Sequence, residues 1–251
     1  MRVSVLSSGS KGNTTYIETD NAKILIDIGN SAKYVKEKLE EFGTVPESID
    51  AILITHTHID HIKGLKTFEK KYHTPVYMTD IMRETLDYVD NYNYIEDEFD
   101  IKDIRVTSIR TSHDAPDSRG YIITNGDKSI VYITDTGYIN KKYFDILKNK
   151  DLYIMESNHD IEMLSNSSYP FNLRQRILSD KGHLSNYDSS KYLSSFVGDN
   201  TKYILLAHLS HENNTESLAY DTLINRLNED NKQVSNVIVA KQDEETDLIT
   251  I

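Results

Sequence analysis

Along the 251 residues, apolar positions gather in short runs rather than in one long block. Val3–Leu6, Thr15–Ile17, Ile24–Ile26, Ala51–Ile54 and Val76–Met78 form a first set. Ile104–Ile109, Tyr121–Thr124, Ile130–Thr134, Leu152–Met155, Tyr203–Ala207, Val237–Ala240 and Leu248–Ile251 form a second. Most are rich in Ile, Val and Tyr, whose side chains suit a pleated surface. Runs that are apolar at nearly every position predict buried strands. Helical spacing appears between them. Residues 31–42 carry Val35, Leu39 and Phe42 on one face, with Ser31 as N-cap and Gly43 as the stop. Residues 185–197 start at Ser185 and turn Leu193, Phe196 and Val197 inward. Residues 214–229 place Ala219, Leu223 and Leu227 four apart. Further helices are predicted over 62–72, 79–88, 138–148 and 171–179. The acidic, Tyr- and Asn-rich stretch Asp87–Asp100 predicts a long surface loop. There is no internal repeat and no low-complexity linker. One α/β domain over residues 1–251 is expected, with two sheets packed together and covered by helices.

Composition narrows the chemistry. With 38% hydrophobic residues the chain can bury a sizeable core. It contains no cysteine, so disulfides, zinc fingers and iron–sulfur clusters are excluded, and any metal must sit on nitrogen and oxygen. The N-terminal Met1-Arg2-Val3-Ser4-Val5-Leu6 is too short and polar for a signal peptide, and no apolar stretch approaches the ~20 residues of a membrane span. A cytoplasmic protein with no membrane association is expected. The formal charge of −12 disfavours broad nucleic-acid binding, which normally leaves a basic footprint. Bound divalent cations would reverse the field locally, because they are often the largest charges in a site.

The strand predicted at Ala51–Ile54 runs into Thr55-His56-Thr57-His58-Ile59-Asp60-His61, which holds three of the nine histidines. A knot of imidazoles and a carboxylate is a poor core but a good edge for divalent metal. His56 and His58 point the same way on an extended segment, and Asp60 and His61 follow where the chain turns towards a helix near Ile62. His56 and His58 suit one site, Asp60 and His61 a neighbouring one, and each pair needs further ligands. Three other predicted strands end in ligand-type residues: His113, Asp135 and His208. Taken singly, each is more often a cap or turn residue. The seven-residue cluster raises all three.

The string His56-Thr57-His58-Ile59-Asp60-His61 resembles the H-x-H-x-D-H hallmark of the metallo-β-lactamase fold superfamily, and the resemblance covers nearly the whole chain. Asp27, in Leu25-Ile26-Asp27-Ile28-Gly29, matches the first, structural motif. His113, Asp135 and His208 match the remaining ligand motifs in order. The resemblance implies a four-layered αβ/βα sandwich of two mixed sheets covered by helices, with the site on one sheet edge. It implies one metal site of His56, His58 and His113, a second of Asp60, His61 and His208, and Asp135 bridging both. Within the superfamily the chain is similar to the YycJ branch (also called WalJ or VicX). The strings that carry this are Ser7-Ser8-Gly9-Ser10-Lys11-Gly12-Asn13, Ser112-His113-Asp114-Ala115, Glu156-Ser157-Asn158-His159-Asp160, Gly182-His183-Leu184-Ser185-Asn186 and Ala207-His208-Leu209-Ser210-His211-Glu212-Asn213.

That branch implies a 5′-to-3′ DNA exonuclease, with DNA ends as substrate. In this reading a metal-activated hydroxide attacks phosphorus and Asp60 orients it. Glu156 and His183 also match positions that assist phosphodiester cleavage in RNase Z-type nucleases, which implies that His183, held by Glu156, protonates the leaving oxygen. An exposed strand end and a loop position are the bland readings of these two residues. The stretch between Asp135 and His208 is too short for the capping domain of β-CASP nucleases, and no Gly/Pro-rich tRNA-gripping arm is present, which argues against RNA processing. Ser10, Gly12 and Asn13 are candidate phosphate contacts, with Lys11 adding charge, although a glycine-rich turn between strands explains the loop equally well. His211 is a candidate substrate contact, as are Asn158 and His159, while His73 reads as surface. Two divalent ions are expected, zinc or manganese, with ferrous iron compatible with the oxygen-richer site. Two alternatives use the same fold: a small-molecule thioester or lactone hydrolase, and a non-catalytic metal-binding regulator. Closed, single sites are the usual mark of the latter. A flavodiiron reductase is disfavoured, since that pattern has Glu at the position of His58.

Overall fold

The computed structural model describes residues 1–251. The first half of the chain builds one sheet from β1 (Arg2–Ser7), β2 (Thr14–Glu18), β3 (Lys23–Ile26), β4 (Ala51–Leu53), β5 (Val76–Met78) and β6 (Tyr92–Tyr94). The second half builds another from β7 (Glu98–Ile101), β8 (Ile104–Arg110), β9 (Arg119–Asn125), β10 (Lys128–Ile133), β11 (Leu152–Glu156), β12 (Tyr203–Ala207) and β13 (Asn236–Val239). The last strand, β14 (Ile249–Thr250), crosses back to pair with β1, so the orders are β14-β1-β2-β3-β4-β5-β6 and β13-β12-β11-β10-β9-β8-β7. Each sheet is mixed. β3 to β6 run parallel, as do β10 to β13, and the strands on the other side of each sheet pair antiparallel.

Both faces of each sheet are buried, which is why the strands read as continuous apolar runs. In β3, Ile24 and Ile26 meet the opposite sheet, while Leu25 packs outward under helices. In β10, Ile130 and Tyr132 point inward, and Val131 and Ile133 point outward. The outer face of the first sheet carries α1 (Ala32–Glu41), α3 (Leu65–Tyr72) and α4 (Asp80–Arg83) through Val35, Leu39, Leu65, Phe68 and Met82. The outer face of the second carries α5 (Phe144–Leu147), α8 (Asn186–Phe196) and α9 (Glu216–Glu229) through Leu147, Leu193, Phe196, Ala219, Leu223 and Leu227. The layers are thus helices, sheet, sheet, helices, as expected. Ser31, Ser185 and Thr215 each accept a hydrogen bond from the backbone N–H three residues on, starting α1, α8 and α9. No helix is long and apolar enough to cross a membrane.

Several elements depart from expectation. Asp87–Asp100 is not all loop: it contains β6 and most of β7, one edge strand of each sheet. All three residues of β6 are exposed, so the strand has no apolar signature, as is common at edges. Leu248–Ile251, grouped by sequence order with the second set, belongs to the first sheet, where Ile249 and Ile251 complete the layer between the sheets. The helix expected over 62–72 begins earlier and in two pieces, α2 (Ile59–Ile62) and α3, so Asp60 and His61 lie inside a helical turn. Over 79–88 and 138–148 only α4 and α5 form as α-helix. A short α6 (Ile161–Ser165) was not foreseen, and α7 (Phe171–Ile177) occupies most of 171–179.

Candidate metal centre

The two sheets bring the carboxyl ends of β3, β4, β10, β11 and β12 to one rim, the place where open α/β sheets hold ligands. β8 runs in the same direction as β10, since both are antiparallel to β9, and adds its end. Asp27 follows β3, His56 follows β4, His113 follows β8, Asp135 follows β10, Glu156 ends β11 and His208 follows β12. Asp27, Asp135 and His208 take left-handed backbone conformations, with φ of 60°, 54° and 56°. This region is uncommon for non-glycine residues and turns each side chain sharply off its strand.

Four histidines are each fixed by a hydrogen bond at Nδ1, which directs Nε2 to the shared space. His61 Nδ1 donates to Asp27 Oδ2 at 2.7 Å, and Asp27 also accepts from the Thr55 amide at 2.8 Å and the Thr55 hydroxyl at 2.7 Å. The Thr55 oxygen in turn lies 3.1 Å from His56 Nδ1. His113 Nδ1 donates to the Gly182 carbonyl at 3.2 Å, and His208 Nδ1 to Glu156 Oε1 at 3.1 Å. His58, which caps α2, presents the other nitrogen: its Nδ1 is 3.3 Å from His113 Nε2.

The donors form overlapping groups: Asp135 joins His56 and His61 in one and Glu156, His183 and His208 in another, with His56, His58 and His113 on one side and Asp60, His61 and His208 on the other. Asp135 lies between them. Its Oδ2 is 3.2 Å from His61 Nε2, and its Oδ1 is 3.5 Å from His208 Nε2 and 3.7 Å from His113 Nε2. Asp60 Oδ2 is 3.7 Å from both His61 Nε2 and His208 Nε2. The buried Nε2 atoms of His56 and His208 and Oδ2 of Asp135 have no hydrogen-bond partner, although such atoms are costly to leave unmatched. Two imidazole nitrogens bound ~2.0–2.1 Å from one tetrahedral ion would sit roughly 3.4 Å apart, close to the His58–His113 separation. The donor set therefore fits divalent metal. Without it, burial presses the His61 pKa down, but the Asp135 and Asp27 carboxylates outweigh burial and raise it to about 10. Burial, reinforced by His61, holds His56 well below its ordinary value.

Glu156 is fully buried behind this group. Its Oε1 accepts from His183 Nδ1 at 2.6 Å as well as from His208, and its Oε2 accepts from the amides of Thr136 and Leu184 at 3.0 and 3.2 Å. Burial would raise its pKa, but the charge and hydrogen bond of His183, with the bond from His208, bring it down to about 2. His183 itself reaches the surface of the cleft. Its amide bonds the Ile177 carbonyl at 3.0 Å, so it hangs from the end of α7.

The glycine-rich loop between β1 and β2 is largely committed to the fold. The Gly9 amide donates to Asn13 Oδ1 at 2.7 Å, the Gly12 amide to the Gly9 carbonyl at 2.9 Å and the Asn13 amide to the Asp60 carbonyl at 2.8 Å. A Cβ on Gly12 would meet the Gly29 backbone at 2.7 Å, so this glycine serves close packing. Asn13 Nδ2 touches His61 Nε2 at 3.0 Å, Ser10 lines the cleft, and Lys11 is paired with Asp243 at 3.0 Å. His211 and Asn158 line the cleft, and Asn158 Nδ2 donates to the His208 carbonyl at 3.0 Å. His159 is buried away from the cleft with neither ring nitrogen bonded, and burial lowers its pKa to about 4. His73 is an exposed C-cap of α3.

The cleft over these groups has a volume of about 330 Å³. One wall comes from residues that sequence patterns did not single out: Tyr169, Leu173, Arg176, Ile177 and Lys181, in and around α7. Arg176 Nε bonds Asp114 Oδ2, and Asp114 Oδ1 lies 3.4 Å from His113 Nε2 and 3.7 Å from His58 Nε2.

The fold and this rim define a class. The model of the beta-lactamase superfamily domain matches residues 22–195, and the chain belongs to that family. It is 41% identical over 239 residues to the exodeoxyribonuclease WalJ of Streptococcus pneumoniae, covering 90% of this chain and 88% of that protein. It is 37% identical over 227 residues to the exodeoxyribonuclease YycJ of Bacillus anthracis, covering 87% and 86%. Among solved structures, the metallo-beta-lactamase fold protein YhfI from Bacillus subtilis superposes with a TM-score of 0.74 at 18% identity, over 98% of this chain and 99% of that one.

Proposed function

We propose that the chain is a dinuclear metal-dependent phosphodiesterase that degrades DNA from the 5′ end. The observation that carries the reading is the Glu156–His183 pair, whose partly exposed member stands at the cleft beside Asp135. A metal site that only stabilised the fold would have no use for an extra, oriented imidazole at an open cleft. The kinship with two exodeoxyribonucleases over most of both chains supports the choice of substrate.

In this reading His56, His58 and His113 would hold one ion and Asp60, His61 and His208 another, with Asp135 available to either. The imidazole-rich set suits zinc, and the oxygen-richer set also accepts manganese or ferrous iron. Divalent ions bound there would supply Lewis acidity and charge to offset a phosphate. The protein groups do the rest. Asp60, partly exposed at the cleft and steadied by Asn13, accepts a hydrogen bond from the attacking water and aims it at phosphorus. His183 is held by Nδ1 to Glu156, so Nε2 is its outward nitrogen and delivers a proton to the departing nucleoside oxygen. Glu156 touches no substrate: it positions His183 and orients His208.

The test uses protein reloaded with zinc or manganese, offered 5′-labelled linear duplex, circular duplex and single-stranded DNA, together with a thioester panel. Label should leave linear DNA and not circular DNA, and the activity should vanish in Asp60→Ala and on chelation. Thioester turnover with inert DNA would overturn the proposal.

A further inference from the structure

Helix α7 contains no buried residue, although Leu173 and Ile177, with Tyr169 ahead of it, are apolar and four apart. None of the three belongs to the core layers between or outside the sheets. Instead all three line the cleft above the metal centre. An apolar stripe at helical spacing normally seats a helix on a core. Here α7 is held by polar bonds, Arg176 to Asp114 and Arg174 to the Ser165 carbonyl, and its apolar side is spent on the cleft.

We infer that Tyr169, Leu173 and Ile177 form a stacking surface for the base of the terminal nucleoside, with Arg176 and Lys181 beside them for the flanking phosphate. This rests on the proposed nuclease reading and specifies how that site selects an end. Three observations choose a nucleotide as the occupant. The stripe adjoins the metal donors in one cleft, so a group lying on it is bonded to whatever reacts there. Lys181 and the outer edge of the Arg176 guanidinium, whose Nε is tied to Asp114, interrupt the apolar wall, as a phosphodiester requires, in a chain whose net charge is −12. The volume of about 330 Å³ falls within the range of small-ligand pockets and is large enough to seat a terminal base. His183 is bonded to the Ile177 carbonyl, so a base stacked against Ile177 brings its own sugar oxygen towards the acid that must protonate it. Stacking on an aromatic face tolerates any base, which suits a nuclease without sequence preference. Tyr169, Leu173 and Ile177 are thus substrate-positioning residues.

Two measurements test this. With metal bound and the first phosphodiester replaced by a non-cleavable phosphonate, a 5′-terminal 2-aminopurine should be quenched on binding, while a fluorophore at the far end reports binding by anisotropy. Wild type and Tyr169→Phe should quench it saturably, and Tyr169→Ala should bind without quenching. On an ordinary, cleavable 5′ end, kcat/KM should fall roughly 5- to 100-fold in Tyr169→Ala. A 5′-abasic end should be poor for wild type and unchanged by the substitution. Absence of quenching by the wild type, or an equal effect of Tyr169→Ala on both ends, overturns the stacking surface. Wild-type protein that digests DNA yet ignores the terminal base loses only this inference, whereas protein inert on every DNA loses the nuclease reading itself.

Discussion

The histidines of the rim are sorted by what stands behind them. Thr55, Asp27, Gly182 and Glu156 each engage one ring nitrogen and so choose which nitrogen faces the cleft. The two roles built on Glu156 can be separated. Glu156→Gln removes the charge behind both His183 and His208, and metal affinity should drop ~10- to 100-fold in a calorimetric titration. His183→Ala should leave metal stoichiometry intact and lower kcat on linear DNA by ~10²–10⁴-fold; full activity in that variant would remove the acid from the scheme. The H-x-H-x-D-H string was legible because four donors stand together in sequence. His113, Asp135 and His208 were legible only because each ends a strand run. Glu156 could be matched to a motif, but its complete burial could not be read from the chain. Tyr169, Leu173 and Ile177 left no trace, since an apolar stripe reads the same whether it faces a core or a ligand.

At the scale of elements, the short helix α2 is clamped by the loops around it. The Asn13 amide donates to the Asp60 carbonyl, the Ile28 amide to the His61 carbonyl at 2.9 Å and the Gly64 amide to the Ile28 carbonyl at 2.9 Å. A Cβ at Gly29 would lie 1.7 Å from the Asp60 carbonyl oxygen. Gly29→Ala should therefore displace α2, with a stability loss of ~1–3 kcal/mol in denaturant melts and weaker metal uptake. An unchanged melt and metal titration would show that α2 has slack. Element types were readable where apolar residues face both ways, as in β3, β10 and β11. They were not where a strand is an exposed edge, as in β6, or where a partner is chosen by chain crossing, as in β14. The continuous helix expected from 62 failed because α2 had already begun at Ile59, with Gly64 separating it from α3.

For the whole molecule, the charge of −12 and a nucleic-acid substrate are compatible only if attraction is confined to the cleft, where Arg176 and Lys181 stand and divalent ions would add their charge. The sheet architecture was legible as two groups of runs. Their meeting at one rim was expected from the ligand-type residues that end three strand runs, but the strand directions that produce it, those of β8, β10, β11 and β12 relative to β4, were not legible. That meeting has a kinetic consequence. His56, His58, Asp60 and His61 come from the first sheet and its connections; His113, Asp135 and His208 come from the second, far along the chain. Neither half owns a finished centre, so the centre assembles only when the halves dock, after the costliest loop closures. Ions bound at the seam should then slow unfolding and leave the refolding rate unchanged, as stopped-flow traces with and without zinc would record. Faster refolding with zinc would mean an earlier assembly. On this view the centre would also be a latch, fastening at one rim two sheets that the apolar layer between them already joins.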